Sequence, residues 1–152
     1  MHEFKTLDDI LDFAIKEEQM AADFYTALAE KMPRQQMKNT FEQFALEEIG
    51  HRTKLEAIKT GKKLQFSANK VADLKIGDYL TDVDTTRTDI SYQEALIIAM
   101  KKEKAAFKLY TDLSEVATDE PSRELFLMLA QEEAIHKLRF EVEYDSNILT
   151  EN

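Results

Sequence analysis

Phe41–Leu55 reads FEQFALEEIGHRTKL, and Phe126–Phe140 reads FLMLAQEEAIHKLRF. Laid over each other without gaps, the two stretches share a Phe, an Ala, a Glu-Glu pair and a His in place. In each, apolar residues recur three and four apart, the spacing of one face of an α-helix. That face is Phe41, Phe44, Glu48, His51 and Leu55 in the first, and Phe126, Leu129, Glu133, His136 and Phe140 in the second. A carboxylate and an imidazole thus interrupt an apolar stripe at the same place twice. Buried charge is costly unless it is paired or bound to metal, so the interruption marks a site.

The offset of 85 residues also holds upstream. Ala14–Glu30 (AIKEEQMAADFYTALAE) falls on Ala99–Glu115 (AMKKEKAAFKLYTDLSE), with Ala, Lys, Glu, Ala, Tyr, Thr, Leu and Glu identical in place. Here too a glutamate stands in an apolar stripe: Glu18 among Leu11, Ala14, Ala21, Tyr25 and Leu28, and Glu103 among Leu96, Ala99, Ala106, Tyr110 and Leu113. The chain therefore reads as two helical hairpins, each supplying half of one symmetric site. Glu18 lies 15 residues before Pro33 and Glu48 lies 15 after it, so a hairpin turning there sets both at one height. The same offset puts the second turn near Thr118, with Glu103 and Glu133 level on either side.

These patterns predict an all-α fold, a four-helix bundle with helices over about 7–31, 34–60, 91–116 and 120–145. Thr6 with Asp9 forms a capping arrangement for the first, and Ser91 with Glu94 a capping box for the third. Pro33 stops the first helix, Gly61 suits the end of the second, and Pro121 is tolerated in the first turn of the fourth. The fourth is expected to fade in the polar tail DSNILTEN. Residues 61–90 are too long for an antiparallel turn and suit a crossover, which would make the second and third helices parallel. A short helix around Val71–Leu80 is left open by periodicity. The whole chain, 1–152, reads as a single domain.

Composition narrows the functions. Cysteine is absent, which removes disulfides, thiolate metal sites and thiol chemistry. A formal charge of −10 argues against nucleic-acid binding, which needs a basic face. No apolar run approaches the ~20 residues of a membrane span, and the acidic N-terminus is unlike a signal peptide. A cytoplasmic protein with neither membrane nor nucleic-acid partners is expected.

Glu48-x-x-His51 and Glu133-x-x-His136 each put a carboxylate and an imidazole one turn apart on the same face. With Glu18 and Glu103 they make four carboxylates and two imidazoles, whose charge is matched by two divalent cations. Without metal, the carboxylates would repel one another and be driven toward protonation. Oxygen-rich ligands with imidazole suit iron or manganese and accommodate zinc. His2, in the N-terminal tail, has no place in the pattern. Glu17, Glu47 and Glu132 adjoin the proposed ligands but are rotated off the stripe, toward solvated or boundary positions. Met20, Met100 and Met128 read as core filling. Tyr25 and Tyr110, symmetry mates, read either as hydrogen-bond donors to carboxylates of neighbouring helices or as packing at the core edge.

Over all four helices the sequence resembles the ferritin-like di-iron superfamily, and within it the rubrerythrin type without the rubredoxin domain. The resemblance implies two iron ions per chain, with manganese or zinc as substitutes. It makes Glu18 and Glu103 terminal ligands, Glu48 and Glu133 bridging ligands, and His51 and His136 one ligand to each iron. It also implies oxidoreductase activity in which peroxide or dioxygen is reduced with electrons from an external donor protein. A homo-oligomer is expected, a dimer first of all. The alternatives are a ferroxidase or iron store, and a non-catalytic metal-binding bundle. Two departures stand out: typical rubrerythrins carry a further glutamate where this chain has Ala106, and the four-cysteine electron-transfer domain often appended to them has no counterpart here.

Overall fold

The computed structural model describes Phe4 and residues 6–61, 65–81 and 89–151, with side chains as far as Ser146. Its elements are α1 (Leu7–Lys31), α2 (Gln35–Gly61), α3 (Ala68–Asp73), a 3₁₀ turn (Ile76–Tyr79), α4 (Tyr92–Val116) and α5 (Glu120–Glu151). The four long helices form the all-α bundle that the repeat predicts.

Local chemistry sets the helix ends. The Thr6 hydroxyl accepts from Asp9 N at 3.2 Å, and the Asp9 carboxylate accepts from Thr6 N at 3.1 Å, closing the predicted box. Ser91 Oγ accepts from Glu94 N at 3.1 Å at the start of α4. Both supply acceptors to N–H groups that a helix cannot satisfy internally. The last helix departs from expectation, running through the polar tail to Glu151. That tail holds neither Gly nor Pro, and each residue added to an existing helix gains a hydrogen bond without paying for a new nucleus. Polarity alone does not end a helix. Tyr92 also ties α4 to this region, donating to Glu143 at 2.7 Å.

Two apolar clusters define how the helices run. One gathers Ile10 and Leu11 of α1, Leu55 of α2, Leu109 and Leu113 of α4, and Phe126 and Leu129 of α5. The other gathers Tyr25 and Leu28 of α1, Phe41 and Phe44 of α2, Leu96 and Ala99 of α4, and Phe140 of α5. The start of α1 thus meets the end of α2, and the end of α4 meets the start of α5, as two antiparallel hairpins require. The end of α2 and the end of α4 contribute to the same cluster, so these two run parallel, as a crossover demands. Met100 packs on the second cluster, but Met20 and Met128 are 40% and 39% exposed and do not fill the core. Their helices carry enough aromatic and leucine residues to close the interior without them.

The crossover is pinned to the turn between α4 and α5. Ser67 N donates to Val116 O and Thr118 N to Gln65 O, both at 2.9 Å, around an isolated antiparallel bridge between Phe66 and Ala117. Val71 of α3 and Tyr79 of the 3₁₀ turn are buried in the first cluster. Ordered structure in the expected interval is therefore two short pieces, not one helix. No helix among the described residues is long and apolar enough to cross a membrane.

Candidate metal centre

The two apolar clusters stop short of each other, and the space between them is polar. Glu18, Glu48, Glu103, Glu133, His51 and His136 all lie there, each 5% exposed or less. The stripe positions explain this: in every helix the polar residue sits in the middle of the face that its apolar neighbours bury. The six side chains form two groups whose ligand-capable atoms lie within 4.8 Å of one another. One is Glu18, Glu48, His51 and Glu133; the other is Glu48, Glu103, Glu133 and His136. Glu48 and Glu133 belong to both.

Both histidines turn Nδ1 inward. His51 Nδ1 lies 2.6 Å from Glu133 Oε1 and 3.7 Å from Glu18 Oε2; His136 Nδ1 lies 2.9 Å from Glu48 Oε1 and 3.6 Å from Glu103 Oε2. Their Nε2 atoms face outward, toward carboxylates of the opposite hairpin. His51 Nε2 is 2.6 Å from Glu132 and His136 Nε2 is 3.5 Å from Glu47. A carboxylate at Nε2 holds the proton there and leaves the Nδ1 lone pair to the interior, the arrangement that orients a histidine toward a metal. Glu47 and Glu132 do occupy boundary positions, but sequence reasoning missed their partners. The signal was present: the Glu-Glu doublet before each His repeats as strictly as the ligands themselves.

The two tyrosines are the hydrogen-bonding pair of the alternatives left open. Tyr25 of α1 donates to Glu103 Oε1 of α4 at 2.8 Å, and Tyr110 of α4 donates to Glu18 Oε1 of α1 at 2.5 Å. Burial first, and then the facing carboxylate, push both phenols well above their ordinary range. They are neutral donors over the whole physiological range.

The remaining polar atoms test whether the cluster fits metal. Glu18 Oε2, Glu103 Oε2, Glu133 Oε1 and His51 Nδ1 are buried without a properly directed hydrogen bond. Such orphans are rare in folded proteins and call for an unseen partner. Charge points the same way. Burial, and then Glu133, Glu103 and Glu18, push Glu48 well up; burial, and then Glu103 and Glu18, do so for Glu133. Burial would lower His51, but its contacts with Glu18 and Glu48 outweigh that and raise it to about 11. Burial would raise Glu103, but its contacts with His136, Glu133 and Glu48 together outweigh that and lower it. A cluster that draws protons onto its acids and a base is short of positive charge, and its oxygen and imidazole donors suit divalent cations.

Beside the cluster, a cavity of about 30 Å³ reaches Glu18, Glu103 and Tyr110 past Ala106, with the half-buried Glu17 and Lys102 also on its wall. It has room for about one water molecule.

A four-helix bundle whose facing helices bring four glutamates and two histidines to one buried point defines a ferritin-like di-iron carboxylate fold. The family model for rubrerythrin matches residues 9–144, and the chain belongs to the rubrerythrin family. Among solved structures it is similar to a Thermotoga maritima protein described as a candidate ferritin-like diiron-carboxylate protein. The two share 23% identity with a TM-score of 0.78, over 97% of this chain and 99% of that one. Comparison with curated protein sequences gave no significant match.

Proposed function

We propose that the protein is an oxidoreductase that holds two iron ions and reduces peroxide or dioxygen with electrons from an external donor protein. The observation that carries this reading is the pair of ligand groups sharing Glu48 and Glu133, each completed by one further glutamate and one imidazole Nδ1. Glu18 and His51 would hold one ion, Glu103 and His136 the other, with Glu48 and Glu133 between them. When bound, the iron pair supplies reversible one-electron steps and open positions for a small oxidant.

The chain's own residues do the rest. Glu132 holds the His51 ring with Nδ1 inward, and Glu47 faces His136 Nε2 at 3.5 Å. Tyr25 and Tyr110 each hold one oxygen of Glu103 and Glu18, leaving the second oxygen, Oε2, free of hydrogen bonds. The apolar clusters on both sides exclude bulk water, which strengthens every electrostatic contact between them. The small cavity between α1 and α4, with room for about one water, leads to Glu18 and Glu103 and gives a small oxidant a route toward the centre.

Each hydrogen peroxide takes two electrons and two protons to give two waters, so one reduced site turns over one peroxide. The test is single turnover: protein loaded anaerobically with ferrous iron, freed of excess reductant and mixed with peroxide. Consumption of about one peroxide per chain within seconds supports the reading. Oxidation confined to oxygen, with continued uptake of ferrous iron beyond the site, favours iron storage instead.

A further inference from the structure

The internal repeat supplies a control for the surface as well as for the core. On α4, Lys101, Lys102, Lys104, Phe107 and Lys108 occupy the positions that Lys16, Glu17, Gln19, Ala22 and Asp23 occupy on α1. Glu18 with Glu103 and Tyr25 with Tyr110 match between these two segments, whereas of the five α4 positions just named only Lys101 has the same residue on α1. From Ala95 to Thr111 the only acid on α4 is Glu103, which is buried, so this stretch shows solvent nothing but positive charge. That is unexpected in a chain of net charge −10.

The lysines frame an apolar groove. Leu80 is 57% exposed and Phe107 40% exposed, and both line a depression of about 560 Å³ whose walls include Lys101, Lys104 and Lys108, and also Asp78 and Asp112. Lys108 is engaged with Asp112 at 3.0 Å and lies over the Tyr79 ring. Among the described residues no ion pair joins Lys101 or Lys104. Thr81 and Ala105 line both this groove and the cavity that reaches Glu18 and Glu103. Surface and buried centre are therefore separated by little more than the thickness of α4.

Resting on the function proposed above, we propose that this α4 face is where the external electron donor docks, and that the donor is a small protein with an acidic surface around its redox centre. Lys101, Lys104 and Lys108 span two turns of helix, ~10 Å, the scale of the small interfaces used by transient electron carriers. At ~0.15 M salt the screening length is ~8 Å. Asp112 is engaged by Lys108, so a partner at this patch feels Lys101 and Lys104 more than the acids beyond that length. Leu80 and Phe107 provide the apolar centre that such a contact needs, with charges at its rim steering the encounter.

Two probes of opposite charge decide it: a reduced acidic ferredoxin and reduced cytochrome c, which is basic. Carbodiimide cross-linking, which joins a lysine amine to a partner's carboxylate, should link ferredoxin to Lys101 and Lys104 of the iron-loaded protein and leave lysines such as Lys16 and Lys59 largely unlinked. The ferredoxin rate should also fall as salt rises, whereas any reduction by cytochrome c should not. The double variant Lys101→Glu with Lys104→Glu should cut the second-order rate with ferredoxin about tenfold. Its metal content, circular dichroism and single-turnover reaction with peroxide should be unchanged. Cross-links centred elsewhere, a ferredoxin rate that does not fall with salt, or a rate insensitive to the double variant would each overturn the docking site. Failure of the peroxide reaction itself would instead remove the proposed function, a result the cross-link map cannot mimic.

Discussion

Tyr25 and Glu103 lie 78 residues apart in sequence, yet the phenol donates to the carboxylate at 2.8 Å in the centre of the bundle. Tyr110 and Glu18 repeat the contact with the hairpins exchanged. Each hydroxyl satisfies one oxygen of a buried carboxylate, and hydrogen bonds to a charged group contribute about 1.5–3 kcal/mol. Tyr25→Phe and Tyr110→Phe keep the ring packing and remove only this bond. Each should lower the stability of the metal-loaded protein by about 1–3 kcal/mol and weaken iron binding. Denaturant melts that coincide with the wild type for both variants would mean that the rings act by packing alone.

Two metal ions per chain are expected on anaerobic loading with ferrous iron, from the two ligand groups. Because Glu48 and Glu133 belong to both groups, Glu48→Ala or Glu133→Ala should reduce bound iron toward none. Glu18→Ala, which touches one group, should leave about one ion in place. Elemental analysis reads the ratio directly. Equal losses from Glu18→Ala and Glu48→Ala would contradict the shared positions.

Removing the metal should destabilise the fold, since it leaves four buried carboxylates facing one another. A ligand present at a hundred times its dissociation constant adds about 2.7 kcal/mol to apparent stability. A chelated sample should therefore melt several degrees lower than one saturated with iron or manganese. An unchanged melting temperature would mean that the acids do not bind a cation from inside.

The sequence carried the bundle because its apolar spacing and its 85-residue repeat constrain the same positions. Glu18, Glu48, His51, Glu103, Glu133 and His136 stood out as polar residues where only burial fits the pattern. What it did not carry depends on contacts between hairpins. Glu132 looks like a boundary residue from its own helix, and only the docking of α2 beside α5 brings it to His51. α5 continues past its expected end because the polar residues there, although they suggest a stop, include nothing that breaks a helix. Met20 and Met128 lie outside the core that their spacing suggests, because periodicity ranks a face without saying how wide the buried arc is.

Away from the centre, two further tyrosines make the fold sensitive to alkali. Tyr79 donates to Asp112 at 2.8 Å and Tyr92 to Glu143 at 2.7 Å. Burial first, then these carboxylate acceptors, push both phenols above their ordinary range. A folded-state value raised above the unfolded one gives stability that is full below the unfolded phenol value, ~10. That contribution is lost as pH rises from there through the folded value. Denaturation midpoints should therefore fall more steeply above pH ~10 in the wild type than in Tyr79→Phe combined with Tyr92→Phe. Parallel pH profiles would show that neither hydrogen bond survives in solution.

Ala106 is where this chain leaves the pattern of the family it belongs to, and the structure shows what the change does locally. Its methyl group lines the small cavity beside Glu18 and Glu103, on the same face of α4 as the Glu103 carboxylate one turn earlier. A methyl group cannot ligate, so α4 can offer the centre only Glu103. The centre is therefore expected to stay nearly symmetric, with His51 and His136 in equivalent places in both oxidation states. Oxidant choice should then be less biased toward peroxide than in rubrerythrins with a glutamate here. Ala106→Glu places a carboxylate against a cavity with room for about one water, close enough to compete for the cluster's cations. Single-turnover oxidation of the ferrous protein, measured with peroxide and with oxygen for both forms, compares the two. The ratio of rates should move toward peroxide in the variant, while iron content stays at the wild-type ratio. A wild type already strongly selective for peroxide, and unaltered by the substitution, would mean that position 106 does not set the choice of oxidant.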